Sequence, residues 1–277
     1  MKRRQIQVCV LRTGGTNCDV ETQRAFADFE VNVHVVRSTR LSGDALDRYH
    51  VLVFPGGFSY GDYVRAGAVW GKEVKSQFGP ALERFVDDGR PVLGICNGFQ
   101  VLVETGFLPA FHGVSEYPEL ALATNGSARY ECRWVAHDDF LYLKHENAGS
   151  CVFTRKIPKG RLLRIPIGHT EGRILLPDAG PDDVLEALFR NDQLVFRFAR
   201  ADGTYPNGAY PANPNGSMYD LTGICNPQGN VFGLMPHPER AFYGWQLPDY
   251  TRLRQKPVYG DGRLIFESVI TYLEDEF

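Results

Sequence analysis

Pro91-Val92-Leu93-Gly94-Ile95-Cys96-Asn97-Gly98-Phe99-Gln100 is the stretch on which the fold of this chain depends. Val92, Leu93 and Ile95 form a short apolar run, the pattern of a buried strand. The next residues, Phe99 to Glu104, read as the start of a helix. A strand that turns into a helix at Cys96 places the sulfur on a sharp bend. Gly94 and Gly98, two residues to either side, let neighbouring backbone pass close. This is the cysteine counterpart of the Gly-x-Ser-x-Gly nucleophile elbow. The helix start directs N–H groups and positive dipole at the sulfur, which favours its nucleophilic form. A small buried cysteine with no chemical role is the competing reading, because free cysteines are mostly buried.

A base for this sulfur is found far downstream. Asn230 to Met235 reads as another apolar strand, and it ends in Pro236-His237-Pro238-Glu239-Arg240. Two prolines prevent helix at His237 and hold the backbone extended or in a turn. Glu239, two residues on, has the reach to orient the ring. Cys96, His237 and Glu239 make a candidate nucleophile, base and orienting carboxylate. A surface turn with Glu239 paired to Arg240 is the alternative for the His-Pro-Glu segment alone.

Outward from these motifs the first half alternates strand and helix. Strands are expected at Ile6 to Leu11, Val31 to Arg37, Val51 to Phe54 and Pro91 to Cys96. Helices are expected at Asp19 to Phe29, within Val64 to Gln77, at Pro80 to Asp88 and at Asn97 to Glu104. The pattern predicts an α/β fold, a mostly parallel sheet with helices on both faces. Ligands on such sheets gather beyond the carboxyl ends of the strands. The 13–17 loop, the 56–63 loop and Cys96 all fall there. The second half adds antiparallel hairpins. Strands are expected at Tyr130 to Val135, Leu162 to Ile167, Arg173 to Leu176 and Leu194 to Ala199, with a helix at Pro181 to Arg190. Leu221 to Cys225 and Asn230 to Met235 flank the turn Asn226-Pro227-Gln228-Gly229 and read as a hairpin delivering His237. Leu264 to Leu273 closes the chain as a helix. Gly203 to Ser217, rich in Gly, Pro and Asn, is a loop.

Composition sets outer bounds. The chain has 277 residues, 43% of them hydrophobic, enough for one large packed domain. Its net charge of −3 gives no broad basic surface for nucleic acid. Six cysteines lie scattered, with no metal-type spacing, so no metal site is expected and reduced thiols in a cytoplasmic setting are. The run after Lys2-Arg3-Arg4 is too short and polar for a signal peptide, and no stretch approaches a membrane span.

On these residues the chain resembles the class I, triad-type glutamine amidotransferases. Within them it is similar to the glutaminase subunits of phosphoribosylformylglycinamidine synthase. The segments that carry the likeness are Pro55 to Tyr63, Gly94 to Gln100 and Gly233 to Arg240. Weaker likeness lies at Asn17-Cys18-Asp19, Asn125 to Trp134 and Ile165 to His169. Together they run in order over nearly the whole chain, which implies one amidotransferase domain over residues 1–277. Thr13-Gly14-Gly15-Thr16 stands where the family usually has Pro-Gly. Extra length lies at Gly203 to Ser217 and Gly244 to Gly260.

The resemblance implies hydrolysis of L-glutamine to glutamate and ammonia through a γ-glutamyl thioester on Cys96, with His237 as proton carrier and Glu239 behind it. The backbone N–H groups of Asn97 and Gly57 would hold the oxyanion. Gln100, Asn125, Ser127 and Arg129 would line the glutamine pocket, against the readings of a solvated helix residue for Gln100 and a plain surface residue for Arg129. Cys18 is the rival nucleophile, expected at most as a pocket wall. His169 is expected to be structural. Asp62 and Arg65 are expected to pair and steady the 56–63 loop, and Trp245, Tyr250 and Tyr259 to form a contact surface or pack locally. Neither glycine pair, Gly14-Gly15 nor Gly56-Gly57, has the ending of a nucleoside-triphosphate loop. No cofactor is therefore expected in this chain; ATP and Mg belong to a partner synthetase that acts on formylglycinamide ribonucleotide in purine biosynthesis. A third small subunit is expected to complete the complex. Two other readings stay open: the glutaminase of a different synthetase, and a non-hydrolytic thiol protein of the stress or chaperone kind. The second leaves His237 and Glu239 without a purpose.

Overall fold

A computed structural model describes residues 1–136, 139–178 and 180–277. The first part runs β1 (Gln7–Arg12), α1 (Asp19–Ala27), β2 (Asn32–Arg37), α2 (Gly43–Leu46), β3 (Val51–Phe54), α3 (Ala68–Asp87), β4 (Val92–Ile95) and α4 (Asn97–Glu104). Short strands follow: β5 (Ala121–Ala123), β6 (Glu131–Arg133), β7 (Val135–Ala136), β8 (Asp139–Phe140), β9 (Tyr142–His145), β10 (Leu162–Arg164), β11 (Ile167–His169) and β12 (Arg173–Leu175). The chain closes with α5 (Pro181–Arg190), β13 (Leu194–Ala199), β14 (Leu221–Cys225), β15 (Val231–Leu234) and α6 (Arg263–Glu276).

Nine strands form one sheet in the order β10-β9-β13-β14-β15-β4-β3-β1-β2. From β15 to β2 all neighbours are parallel. From β15 to β10 all are antiparallel. β3, β4 and β15 are buried at every position, as strands covered on both faces must be. Strand order reverses at β1: β2 lies on one side of it and β3 on the other. With right-handed crossovers, that reversal puts α1 on one face and α2 and α3 on the other. The contacts agree: α1 packs on α6, while α3 packs on α2 and α4. The crevice between the carboxyl ends of β1 and β3 is therefore the topological switch point, where open α/β sheets bind ligands.

Several elements differ from the sequence expectation. The two helices expected between Val64 and Asp88 are one run, Ala68–Asp87, kinked at Phe78 (φ −146°) ahead of Pro80. Its start is delayed by left-handed residues at Val64 (φ 71°) and Gly67 (φ 79°). The expected strand Leu162 to Ile167 splits, because Pro166 has no N–H for a ladder. Its halves join different sheets, β10 with β9 and β11 with β6. β9 was not expected, although its burial alternates as period-two patterning requires. The β14–β15 hairpin is present, and β15 also pairs in parallel with β4. That double pairing brings the end of β15 beside the end of β4.

Candidate active site

Cys96 follows β4 directly and precedes α4, with φ 51° and ψ −105°. A positive φ on a non-glycine residue is strained and persists only where the surroundings enforce it. Here the Cys96 N–H donates to the Leu234 carbonyl at 2.8 Å, tying the bend to β15. The flanking glycine is needed for contact: a Cβ at Gly98 would stand 1.8 Å from the Phe54 carbonyl oxygen on β3. Cys96 is 4% exposed, and its Sγ lies 3.6 Å from the Gly168 carbonyl oxygen.

His237 leaves β15 through Met235-Pro236, and its N–H donates to the Pro166 carbonyl at 2.8 Å. The ring is buried, and its Nδ1 lies 2.6 Å from Glu239 Oε1, also buried. Nε2 has no hydrogen-bond partner among the described residues. A Cβ at Gly168 would stand 3.8 Å from Nε2. Sulfur and free ring nitrogen thus both abut Gly168. Burial opposes charge on the ring, but the Glu239 carboxylate and then the Cys96 sulfur outweigh it. The imidazolium persists well above the usual histidine range. Gln246 Nε2 donates to the Glu239 carbonyl at 3.1 Å, so the 244–260 insertion braces this segment.

The 56–63 loop and α4 are stitched together. Asn97 Oδ1 accepts the Ser59 N–H at 3.2 Å, and Asn97 Nδ2 donates to Gln100 Oε1 at 2.9 Å. Gln100 Nε2 donates in turn to the Glu171 carbonyl. Gln100 is buried and holds the elbow to the 168–172 segment. Gly57 has φ 147°, and a Cβ there would stand 2.8 Å from backbone of the 15–17 loop. The backbone N–H groups of Gly57 and Asn97 donate to no other group among the described residues, the condition an oxyanion site needs.

The remaining candidates separate. Asn125 is buried and fully engaged: Nδ2 donates to the carbonyls of Arg129 and His169, and Oδ1 faces Gly172 N–H and His169 Nδ1. It is a clamp on two loops. Ser127 donates to Glu131 at 2.7 Å. Ser127 and exposed Arg129 line a separate cavity of about 480 Å³ with Tyr210, Asn213 and Asn215. The cleft beside His237 is bounded instead by Asn17, Cys18, Phe58, Tyr130, Gly168 and Arg240 and holds about 20 Å³, room for about one water. His169 is buried, and burial followed by the charge of His237 pushes it down to about 3, so it stays neutral.

The expected Asp62–Arg65 pair is not formed. Left-handed turns at Tyr60, Gly61 and Asp62 curl the loop, and Arg65 instead forks onto Glu104 with two bonds of 2.6 Å. Asp62 is left near Glu171, and burial plus that charge raise it to about 6. Cys18 comes closer to the centre than expected. Its Sγ lies 4.0 Å from His237 Nδ1 and accepts a bond from Arg240 Nη2 at 3.1 Å. The sequence signal was its place after β1 at the switch point. Arg240 adjoins the motif itself and carried no separate signal.

Residues 5–273 match the CobB/CobQ-like glutamine amidotransferase domain. The chain belongs to this glutamine amidotransferase family. The amidotransferase is 45% identical to phosphoribosylformylglycinamidine synthase subunit PurQ of Archaeoglobus fulgidus, over 99% of each chain. It is 39% identical to the subunit of that name in Methanothrix thermoacetophila, over 98% of this chain and 99% of the relative. A chain in the solved structure of PurLQS from Thermotoga maritima aligns with a TM-score of 0.70 at 31% identity, over 97% of this amidotransferase and 99% of that chain. No helix among the described residues is long and apolar enough to cross a membrane.

Proposed function

We propose that this chain is the glutaminase subunit of a phosphoribosylformylglycinamidine synthase, in the cytoplasm. It would hydrolyse L-glutamine and pass ammonia to a synthetase subunit, which uses ATP and Mg to convert formylglycinamide ribonucleotide to its amidine. A third small subunit completes the assembly, and this chain itself takes no cofactor. The family membership and the names of full-length relatives support the assignment. The observation that carries the chemistry is the buried His237–Glu239 pair at 2.6 Å, set beside a strained Cys96 at the carboxyl edge of a parallel sheet.

The steps follow from that geometry. Cys96 Sγ, its proton already held on Nε2 of the His237 imidazolium, the ring nitrogen that Glu239 leaves free, attacks the side-chain carboxamide carbon of glutamine as thiolate. The carbonyl electron pair moves onto oxygen, held by the N–H groups of Gly57 and Asn97. Losing one such donor would raise the barrier by roughly 3 kcal/mol. Collapse breaks the C–N bond; His237 protonates the departing nitrogen, and ammonia leaves. Water, deprotonated by His237, then attacks the thioester carbon; the C–S bond breaks, glutamate leaves, and the starting pair of Cys96 sulfur and protonated His237 is restored.

The cleft of about 20 Å³ is far too small for glutamine. Phe58 and Tyr130, two exposed residues of its lining with ring centroids 6.0 Å apart, would have to part to admit it. We assign that opening to docking of the synthetase, so hydrolysis by the subunit alone is slow. The test is glutamine hydrolysis with and without the cognate synthetase, in wild type and Cys96→Ala. Activity should rise with the partner and vanish in the variant. Equal rates in the two proteins would remove Cys96 from the mechanism, and a synthetase whose product is not the amidine would overturn the substrate assignment.

A further inference from the structure

A further cavity lies beside the switch point, beyond the ends of β1 and β2. It holds about 460 Å³ and is lined by Arg12, Thr13, Gly15, Arg37, Thr39 and Tyr60. Arg12 and Arg37 are register partners on adjacent parallel strands. Two guanidinium groups side by side repel unless an anion answers them. Asp19 answers one: its Oδ2 lies 3.4 Å from Arg12 Nε. The Arg37 side chain is exposed and has no ion pair or hydrogen bond among the described residues. Tyr60, on the cavity wall, donates its hydroxyl to Glu73 at 2.5 Å. The N–H groups of Gly14 and Gly15 also donate to nothing among the described residues, while their carbonyls are both used.

We infer that this cavity binds the phosphate of a small phosphate monoester, between Arg37, Arg12 and the Gly14–Gly15 amides. Arginine forks and unpaired loop amides suit the oxygens of a tetrahedral anion. The loop has no lysine of the kind that serves nucleoside triphosphates, so one phosphate group is the fit. The volume exceeds that group and leaves room for an attached sugar. This site stands apart from the proposed glutamine chemistry but reports to it. Phe58 N–H donates to the Gly15 carbonyl at 2.9 Å and Tyr60 N–H to the Gly14 carbonyl at 2.8 Å, both just after Gly57 in its loop. A Cβ at Gly15 would stand 1.9 Å from the Phe58 oxygen, so the two loops cannot shift independently.

The experiment is calorimetric titration of the full chain, at low salt, with ribose 5-phosphate, inorganic phosphate and ribose. Both phosphates should bind saturably and ribose should not. Arg37→Ala should weaken ribose 5-phosphate at least about tenfold, with Arg37→Lys between the two. Amide NMR shifts at Gly14 and Gly15 should move during the titration. Because Arg37 is exposed, its removal should leave the melting temperature unchanged, and the Cys96→Ala variant should bind as wild type does. Absence of saturable binding, equal binding by Arg37→Ala, or shifts confined to other loops would overturn the site. So would loss of synthetase docking in Arg37→Ala without any phosphate binding, which would make the cavity a seat for a partner's acidic side chain.

Discussion

Two strand-to-helix junctions meet at one imidazole, and each carries a cysteine. Cys96 joins β4 to α4, and Cys18 joins β1 to α1. Both are buried at helix starts, and both approach His237. Their backbones differ. Cys96 sits at φ 51°, flanked by Gly94 and Gly98, against strand β3. Cys18 sits at an unstrained φ of −102°, with Thr16 and the half-exposed Val20 in the flanking places. Cys18 faces Nδ1, the nitrogen already engaged by Glu239, and burial pushes its thiol up to about 11. A helix start beside a histidine is therefore not enough for a nucleophile. The strained bend and access to the free ring nitrogen make the difference.

The largest expected effect tests that distinction directly. Cys96→Ala should reduce glutamine hydrolysis by the assembled complex to background, while Cys18→Ala keeps the same order of magnitude of activity. Parallel steady-state assays decide; a Cys96→Ala complex that still turns over at the rate of Cys18→Ala would invert the assignment.

Next in size is the pair that serves only one of the two sulfurs. Glu239→Gln should cut kcat by roughly 10²–10⁴-fold, because the ring loses its orienting anion. The same change has a stability signature. A histidine raised above its unfolded pKa of about 6.5 adds stability that is fully present below that pH and is lost as pH climbs through the folded-state pKa. Glu239 supplies the largest raising influence on His237. Denaturant midpoints of variant and wild type should thus differ most near pH 6 and converge at alkaline pH. A gap that widens with rising pH would show that the buried carboxylate does not hold the imidazolium.

A third contrast concerns the residue two places after each cysteine. Gly98→Ala drives a methyl into the Phe54 carbonyl and should cost about 3 kcal/mol of unfolding free energy. Val20→Ala, on the exposed side of α1, should change stability by less than about 0.5 kcal/mol. Equal melting temperatures for the two would mean that the elbow is not tightly packed.

Legibility from sequence followed the same division. β3, β4 and α4 were readable because continuous apolar runs and glycine spacing are local signals. The His237–Glu239 pair was readable because prolines fix local backbone. The antiparallel half was read less well. β5, β7, β8 and β9 are two to four residues long, and their pairing is set by partners distant in sequence. The places of Ser127 and Arg129 away from His237 depend on how the 203–217 insertion folds back. Asn215 Nδ2 donates to the Gly172 carbonyl, and the Asn215 carbonyl accepts Gly126 N–H. No pattern within residues 125–129 announces those bonds. Asp62 and Arg65 failed for a related reason: three successive left-handed residues redirect both side chains, and only one of the three is glycine.

The smallest expected effect falls on Cys18 itself. Its sulfur accepts from Arg240 Nη2 and donates to Asn17 Oδ1 at 3.1 Å, so its removal leaves a partly buried guanidinium with Glu21 as remaining partner. It also withdraws one of the lesser influences that raise His237, behind Glu239 and Cys96. Cys18→Ala should therefore lower kcat by no more than about fivefold, since no reacting atom is lost. The alkaline limb of the pH–rate profile, where the imidazolium is lost, should move to lower pH by less than about one unit. A glutamine-shaped alkylating agent at neutral pH should modify Cys96 and spare Cys18, whose thiol stays protonated there. Peptide mapping that found label on Cys18, or a Cys18→Ala complex as inactive as Cys96→Ala, would mean that the two junctions share the chemistry.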